Sequence, residues 1–228
     1  MITLYDLAFQ GDRRPSPFCW RTKFALSHKG LAWTEVPTGF TEKDKLAFAA
    51  SQTVPVIRDG DTAVKDSWAI AEHLDRAHPD KPLFESDMAK AYARFVNGWG
   101  DTTVHGALFP LVIGDLYARV RPEDQAYFAE SRGKRLGTTD FAGFQSAARE
   151  KGLPAFRAVL EPARRTLREQ AFLSGEAPAY PDYILMGAFM WARCASPFEL
   201  LASDDPVHEW RERMLDLYDG LGRKAKIA

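Results

Sequence analysis

Residues 54–67 read Val54-Pro55-Val56-Ile57-Arg58-Asp59-Gly60-Asp61-Thr62-Ala63-Val64-Lys65-Asp66-Ser67. Two short β-forming runs, 54–57 and 62–64, flank Asp59-Gly60, a dipeptide that tolerates the positive φ angles of a tight hairpin turn. Proline cannot donate to a sheet ladder, which places Pro55 at a strand start or edge. A cis bond at Val54-Pro55 would turn the Val54 N–H and C=O outward, toward an extended peptide ligand; a trans bond is the alternative, and the sequence does not fix the isomer. Asp66-Ser67 then opens a helix in which Ile70 and Leu74 lie four apart and which ends before Pro79. An acid and a hydroxyl at a helix start suit the ammonium and carboxylate of an α-amino acid, although the same pair also serves as an ordinary cap.

Upstream of the hairpin, residues 2–7 alternate as a strand, and Gly11 to Pro15 make a polar loop. Ser16 is placed as N-cap, Pro17 at the first helical position, His28 and Lys29 in the last turn and Gly30 just beyond it. Residues 33–36 are a second strand candidate, followed by an irregular stretch around Gly39-Phe40-Thr41 with room for a short helix. The order is β-α-β, loop, β-β-α.

Downstream, Pro79-Asp80-Lys81-Pro82 is the clearest linker, dividing the chain into residues 1–82 and 83–228. Every long periodic segment beyond it reads as helix. Met88, Tyr92, Phe95, Val96 and Trp99 fall on one face of a 3.6-residue repeat. Further helices are predicted over about 108–120, 153–169, 183–195 and 207–217, with 133–143 the least structured part.

The gross composition narrows the chemistry. The 228 residues are 46% hydrophobic, enough to bury a sizeable core, and 30 Lys and Arg nearly balance 31 Asp and Glu for a formal charge of −1. That balance gives no reason to expect binding to nucleic acid or an anionic membrane. No apolar run approaches the ~18 residues of a membrane span and the amino terminus carries no leader pattern, so a cytoplasmic location is expected. The five histidines show no metal-ligand spacing, and no metal is expected. Cys19 and Cys194 are expected to be free thiols.

Ser16-Pro17-Phe18-Cys19 puts a hydroxyl at a helix amino end, where unpaired N–H groups and the positive dipole end stabilise a thiolate over its thiol. A free thiol near pKa ~8.5 is mostly protonated at neutral pH, and each unit of depression corresponds to ~1.4 kcal/mol. Cys19 lies one turn in, on the core side with Thr22 and Leu26, and reads as a buried thiol rather than a nucleophile.

In this order and spacing, the Ser-Pro-x-x turn, the Val-Pro hairpin and the acid-Ser helix start resemble the glutathione transferase superfamily. The resemblance implies an α/β thioredoxin-like amino-terminal domain plus an all-α carboxy-terminal domain, a homodimer, and glutathione as co-substrate. It places cysteinyl-backbone binding on Val54 and Pro55, γ-glutamyl binding on Asp66 and Ser67, and sulfur activation on Ser16. Lys43 and Lys45 are neighbours of suitable charge for the glycyl carboxylate. Ser16 to Lys23, Gly39-Phe40-Thr41, Asp66 to Glu72 and Asp219-Gly220-Leu221-Gly222 look like bacterial β-etherases, which cleave aryl ethers of lignin-derived compounds with glutathione, and like fungal transferases that bind phenolic compounds. This implies detoxification or aromatic compound metabolism on a small aromatic electrophile, with Trp99, Phe109, Tyr117 and Trp191 as candidates for its pocket.

Two departures stand against the finer likeness. The chain stops soon after Gly222, where those etherases carry a longer tail, and Ala179 replaces the side-chain cap at the start of a late helix, at a cost of about 1 kcal/mol unless Asp182 compensates. The rivals are a non-catalytic binder of glutathione conjugates or phenolics and a glutaredoxin-like thiol oxidoreductase, which needs a cysteine where Ser16 stands. Tyr5 is a further sulfur-activator candidate, within the first strand.

Overall fold

The computed structural model describes residues 1–228. Four strands form one mixed sheet in the order β2-β1-β3-β4, with β1 at Ile2–Leu7, β2 at Trp33–Thr38, β3 at Val56–Asp59 and β4 at Thr62–Lys65. β1 pairs parallel to β2 and antiparallel to β3, and the β3–β4 hairpin turns at Gly60, whose φ is 59°. α1 (Pro17–His28) crosses between β1 and β2, and α2 (Ser67–Ala77) follows β4. A 3-10 segment at Lys43–Ala49 occupies the stretch after Gly39-Phe40-Thr41.

Beyond the linker the chain is helical: α3 (Asp87–Trp99), α4 (His105–Arg119), α5 (Pro122–Leu136), α6 (Phe141–Val159), α7 (Glu161–Glu169), α8 (Tyr180–Ala195) and α9 (Pro206–Gly220). α3 runs into α4 without a loop, through one wide π turn at Gly100–Val104. No helix is long and apolar enough to cross a membrane.

Three expectations change. Residues 133–136 complete α5, whose last turn is basic and whose end is capped by Gly137 in the left-handed region at φ 70°, so only a short link before α6 is irregular. The helix expected over 153–169 is two, divided at Leu160, where Pro162 stands in the first turn of the second. On α3 the apolar stripe is broader than one buried face needs: Val96 is buried, while Met88 is 78% and Phe95 73% exposed.

One continuous apolar core runs from Leu4 in the sheet to Trp210 in α9. α8, the most deeply buried helix, packs along α1, where the absence of a side chain at Gly187 lets the backbones approach. At the start of α8, where Ala179 has no capping side chain, Asp182 makes the reciprocal half of a capping box. Its buried carboxylate accepts from the N–H groups of Ala179 (3.2 Å), Leu173 (2.7 Å) and Ser174 (3.2 Å) and from Trp210 Nε1 (2.9 Å). The linker is pinned by Lys29, whose ammonium reaches Asp75 (2.7 Å) and donates to the carbonyls of His78 and Lys81.

A Cβ at Gly187 would lie 2.5 Å from the Pro17 carbonyl oxygen. Gly187→Ala is therefore expected to lower the urea-unfolding free energy by about 1–3 kcal/mol, although alanine is intrinsically the better helix former by about 1 kcal/mol. A raised unfolding midpoint would mean that α1 and α8 do not meet at this point.

Candidate functional site

β1 delivers the chain to a loop that ends at Ser16, and Pro17 presets the first helical φ of α1. Ser16 is 5% exposed, and its Oγ accepts from the Cys19 N–H at 3.3 Å, which leaves the hydroxyl proton free to donate. Ser16 is thus both the cap and a hydroxyl on the wall of a cleft of about 1070 Å³ between the sheet layer and the helices.

Val54, Pro55, Asp66 and Ser67 line the same cleft. The Val54–Pro55 bond is cis, and neither the N–H nor the C=O of Val54 has a hydrogen-bond partner within the chain. Asp66 holds a left-handed backbone, φ 75°, which lets its carboxylate turn onto α2; Oδ1 accepts from Trp68 N (3.0 Å) and Ala69 N (3.1 Å). The other carboxylate oxygen is unengaged. The Ser67 hydroxyl is also without a partner, while its carbonyl accepts from the Tyr180 hydroxyl (2.7 Å) across the layers. Of the two lysines, Lys43 lines the cleft; Lys45 is tied to Glu42 (2.9 Å) and to the Pro37 carbonyl (3.0 Å).

The opposite wall is aromatic. Phe109 and Trp191 line it and stack at 5.9 Å. Trp99 and Tyr117 do not reach the cleft: Trp99 packs against the core from α3, and Tyr117 packs edge-on to Phe141 at 5.0 Å. Their places are taken by Phe40, Tyr127 and Phe128, with Arg132 and Arg135 beside them. The sequence reading places no helix between residues 120 and 153, so these α5 side chains are absent from its candidates. Phe128, Arg132 and Arg135, at offsets of 0, 4 and 7, carried a helical-face signal that could have found them. The Phe40 loop is fastened to α5 by Asp124, whose Oδ1 accepts from the Thr41 N–H and hydroxyl, both at 2.8 Å.

His105 also lines the cleft, packed edge-on between Phe18 (5.5 Å) and Trp191 (5.4 Å), with Nε2 buried and unpartnered. Burial, and secondarily the Arg21 guanidinium, push its pKa down to about 3, so the ring is neutral at physiological pH. Neither thiol is a nucleophile. Cys19 is fully buried, and burial with the nearby Asp6 carboxylate raises its thiol well above the usual range; burial pushes Cys194 up to about 12. Tyr5 pairs with Phe48 at 5.0 Å and does not line the cleft.

A family model for the glutathione S-transferase C-terminal domain matches residues 91–214, and one for the N-terminal domain matches residues 15–77. Glutathione S-transferase Z2 of Arabidopsis thaliana is 33% identical over 95 residues, 40% of this chain and 41% of that protein. A zeta-class glutathione S-transferase of Euphorbia esula is 25% identical over 115 residues, 46% of this chain and 50% of that protein. The chain thus matches half or less of the length of these relatives. Among solved structures, a glutathione S-transferase of Ceriporiopsis subvermispora in complex with glutathione superposes with a TM-score of 0.79 at 22% identity, covering 96% of each chain. A glutathione transferase of Phanerochaete chrysosporium gives 0.75 at 23% identity, covering 96% of this chain and 92% of that one. The fold is a thioredoxin-like α/β layer followed by an all-helical domain, and the chain belongs to the glutathione S-transferase family.

The buried neutral imidazole sets a sign. With the folded pKa of His105 below its unfolded value, the unfolded chain binds the extra proton between about pH 6.5 and 3, so stability falls as pH falls through that window. Urea titrations should show His105→Phe losing less stability than wild type between pH 7 and 5, by about 2 kcal/mol. Parallel losses in the two proteins would mean that the imidazole is not held neutral.

Proposed function

We propose that the protein is a glutathione transferase in which Ser16 donates a hydrogen bond to the glutathione sulfur and keeps it as thiolate. The observation that carries this reading is the shared cleft. The Ser16 hydroxyl at the α1 amino end faces the same space as the unpaired Val54 amide and carbonyl and the Asp66–Ser67 helix start. An extended peptide thiol meets its requirements there: two backbone bonds from Val54, a helix end and hydroxyl for the α-carboxylate, and the free Asp66 oxygen for the ammonium. Lys43 is the cation nearest in kind for the glycyl carboxylate.

The second substrate is an aromatic electrophile, received by Phe109, Trp191 and the rings of Phe40 and Phe128. The sulfur forms a C–S bond at the electrophilic carbon while the leaving group departs with its electron pair; for an aryl ether that group is a phenolate. The Ceriporiopsis subvermispora transferase that shares the fold holds glutathione, which is consistent with the tripeptide half of this reading. A glutaredoxin-like exchange does not, since both thiols are buried and held protonated. The reaction, a role in detoxification or aromatic compound metabolism, and a cytoplasmic setting form one consistent proposal.

A homodimer is part of it. Met88, Tyr92 and Phe95 form an exposed apolar row on α3, and Phe48 adds a partly exposed ring from the sheet layer. Rows of this kind mark association surfaces. Light scattering should give twice the chain mass for wild type and the single chain mass for Phe95→Glu; a wild-type monomer would end this part of the reading.

The sulfur chemistry is tested by the ultraviolet absorbance of bound glutathione thiolate against pH. A charge-assisted hydrogen bond contributes roughly 1.5–3 kcal/mol, so Ser16→Ala should raise the bound thiol pKa by about 1–2 units. Conjugation of chlorodinitrobenzene at neutral pH should fall tenfold or more. An unshifted thiol pKa in wild type would leave a ligand-binding protein as the better description.

A further inference from the structure

α5 brings two guanidiniums to the aromatic end of the cleft. Arg132 lies over Phe40 (5.2 Å to the ring centroid) and Phe128 (5.0 Å), and Arg135 lies over Phe109 (5.0 Å). Arg132 donates within the chain only to the Ser131 hydroxyl (2.8 Å), and Arg135 has no hydrogen-bond partner in the chain. The carboxylates of α5 and of the facing wall are engaged elsewhere. Glu123 and Asp124 pair with Arg121, and Glu130 with Lys134. Across the cleft, Asp101 is held by Arg21 at 2.7 Å and by Asn97 at 2.8 Å, and Asp66 caps α2. Two like charges stand close together over apolar rings, and burial together with Arg135 lowers the Arg132 pKa from its ordinary value. Ring faces favour a cation electrostatically, but they accept no hydrogen bond from the edge of the guanidinium fork. That edge is open, planar and matched to a carboxylate.

We infer that Arg132 and Arg135 form an anion-binding subsite for the second substrate, and that the preferred electrophiles are aromatic carboxylic acids, the ring lying against Phe40, Phe109 and Phe128 and the carboxylate on the guanidinium pair. This rests on the transferase reading for the identity of the site, but the subsite stands on its own geometry. It also differs from any group needed for the tripeptide, whose candidate ligands Val54, Asp66, Ser67 and Lys43 belong to the sheet layer and the segment after β2.

The test uses equilibrium binding, so that it does not depend on turnover. Naphthoate and its neutral primary amide are titrated calorimetrically into the full-length protein, with and without saturating glutathione, for wild type, Arg135→Gln and the Arg132→Gln/Arg135→Gln double variant. Wild type should bind the acid roughly ten- to hundredfold more tightly than the amide, the gain expected of a charge-assisted hydrogen-bonded pair. The double variant should lose that preference and Arg135→Gln part of it, with the Kd for glutathione unchanged. Arg135 is exposed on the helix surface, so its single variant tests the idea even if the double variant folds poorly. Equal binding of acid and amide by wild type would overturn the inference, as would an acid preference that survives both substitutions. A loss of glutathione affinity in place of acid affinity would also overturn it, since the arginines would then serve the tripeptide's own carboxylates. Failure of the transferase reading shows separately, as absent conjugation of neutral chlorodinitrobenzene, and leaves the acid-against-amide comparison intact.

Discussion

Arg21 is the residue on which the arrangement of the two layers depends. Its side chain is fully buried in α1, yet it donates out of the sheet layer to Asn97 Oδ1 (3.1 Å) and Asp101 Oδ1 (2.7 Å) at the junction of α3 and the wide turn. A guanidinium taken wholly out of water must keep its partners or the layers must part, because an uncompensated buried charge costs several kcal/mol. The same helix is fixed from beneath by Lys23, whose ammonium meets Asp6 (2.6 Å) and Glu35 (2.9 Å) on neighbouring strands. With α8 along its flank, α1 has little freedom to shift, and these contacts set the position of Ser16.

This explains why the site can rely on dipoles rather than on a strong base. The groups that the α1 start offers to the proposed sulfur are the Ser16 hydroxyl and the unpaired Phe18 N–H, neither of which titrates near neutral pH. Their effect depends on pre-orientation, which the buried ionic contacts and the close α1–α8 approach provide. The opposite wall is held by different means. Asp124 binds the Phe40 loop to α5, so a ring from the sheet layer joins the aromatic side of the cleft, and neither layer alone makes the complete site.

Much of the sheet layer was legible because its signals are local. Asp59-Gly60 needs only its own backbone preference to make a turn, and Ser16-Pro17 needs only the geometry of a helix start. Asp66 and Ser67 were readable as a pair, but the division between them was not: Asp66 is the cap, through a left-handed backbone that residue type alone does not announce, and Ser67 is already helical. The helical layer was harder, since 3.6-residue periodicity places residues on a face without saying what the face meets. Trp99 and Tyr117 are apolar and regularly spaced like Phe109 and Trp191, yet only the latter two point at the cleft, a difference set by helix crossing rather than by spacing. α5 escaped because its polar character resembles that of a loop, and its contribution to the cleft became visible only once its aromatic and basic side chains were seen on one side.

The wide turn at Gly100–Val104 can be understood as a change of phase along a single rod. In an unbroken α-helix each residue advances about 100°, so Phe95, Thr102, Gly106 and Phe109, at intervals of seven, four and three, would share one face. That face would then have to serve solvent and cleft at once. An added residue in one turn retards everything after it by a fraction of a revolution. The first half of the rod thereby displays Met88 and Phe95 outward while the second half directs His105 and Phe109 inward. One extra residue in the turn gives the rod two surfaces pointing in different directions, whereas a deletion within the turn would rotate α4 by about 100° against α3, so that the exposed row and the cleft lining could not both keep their directions.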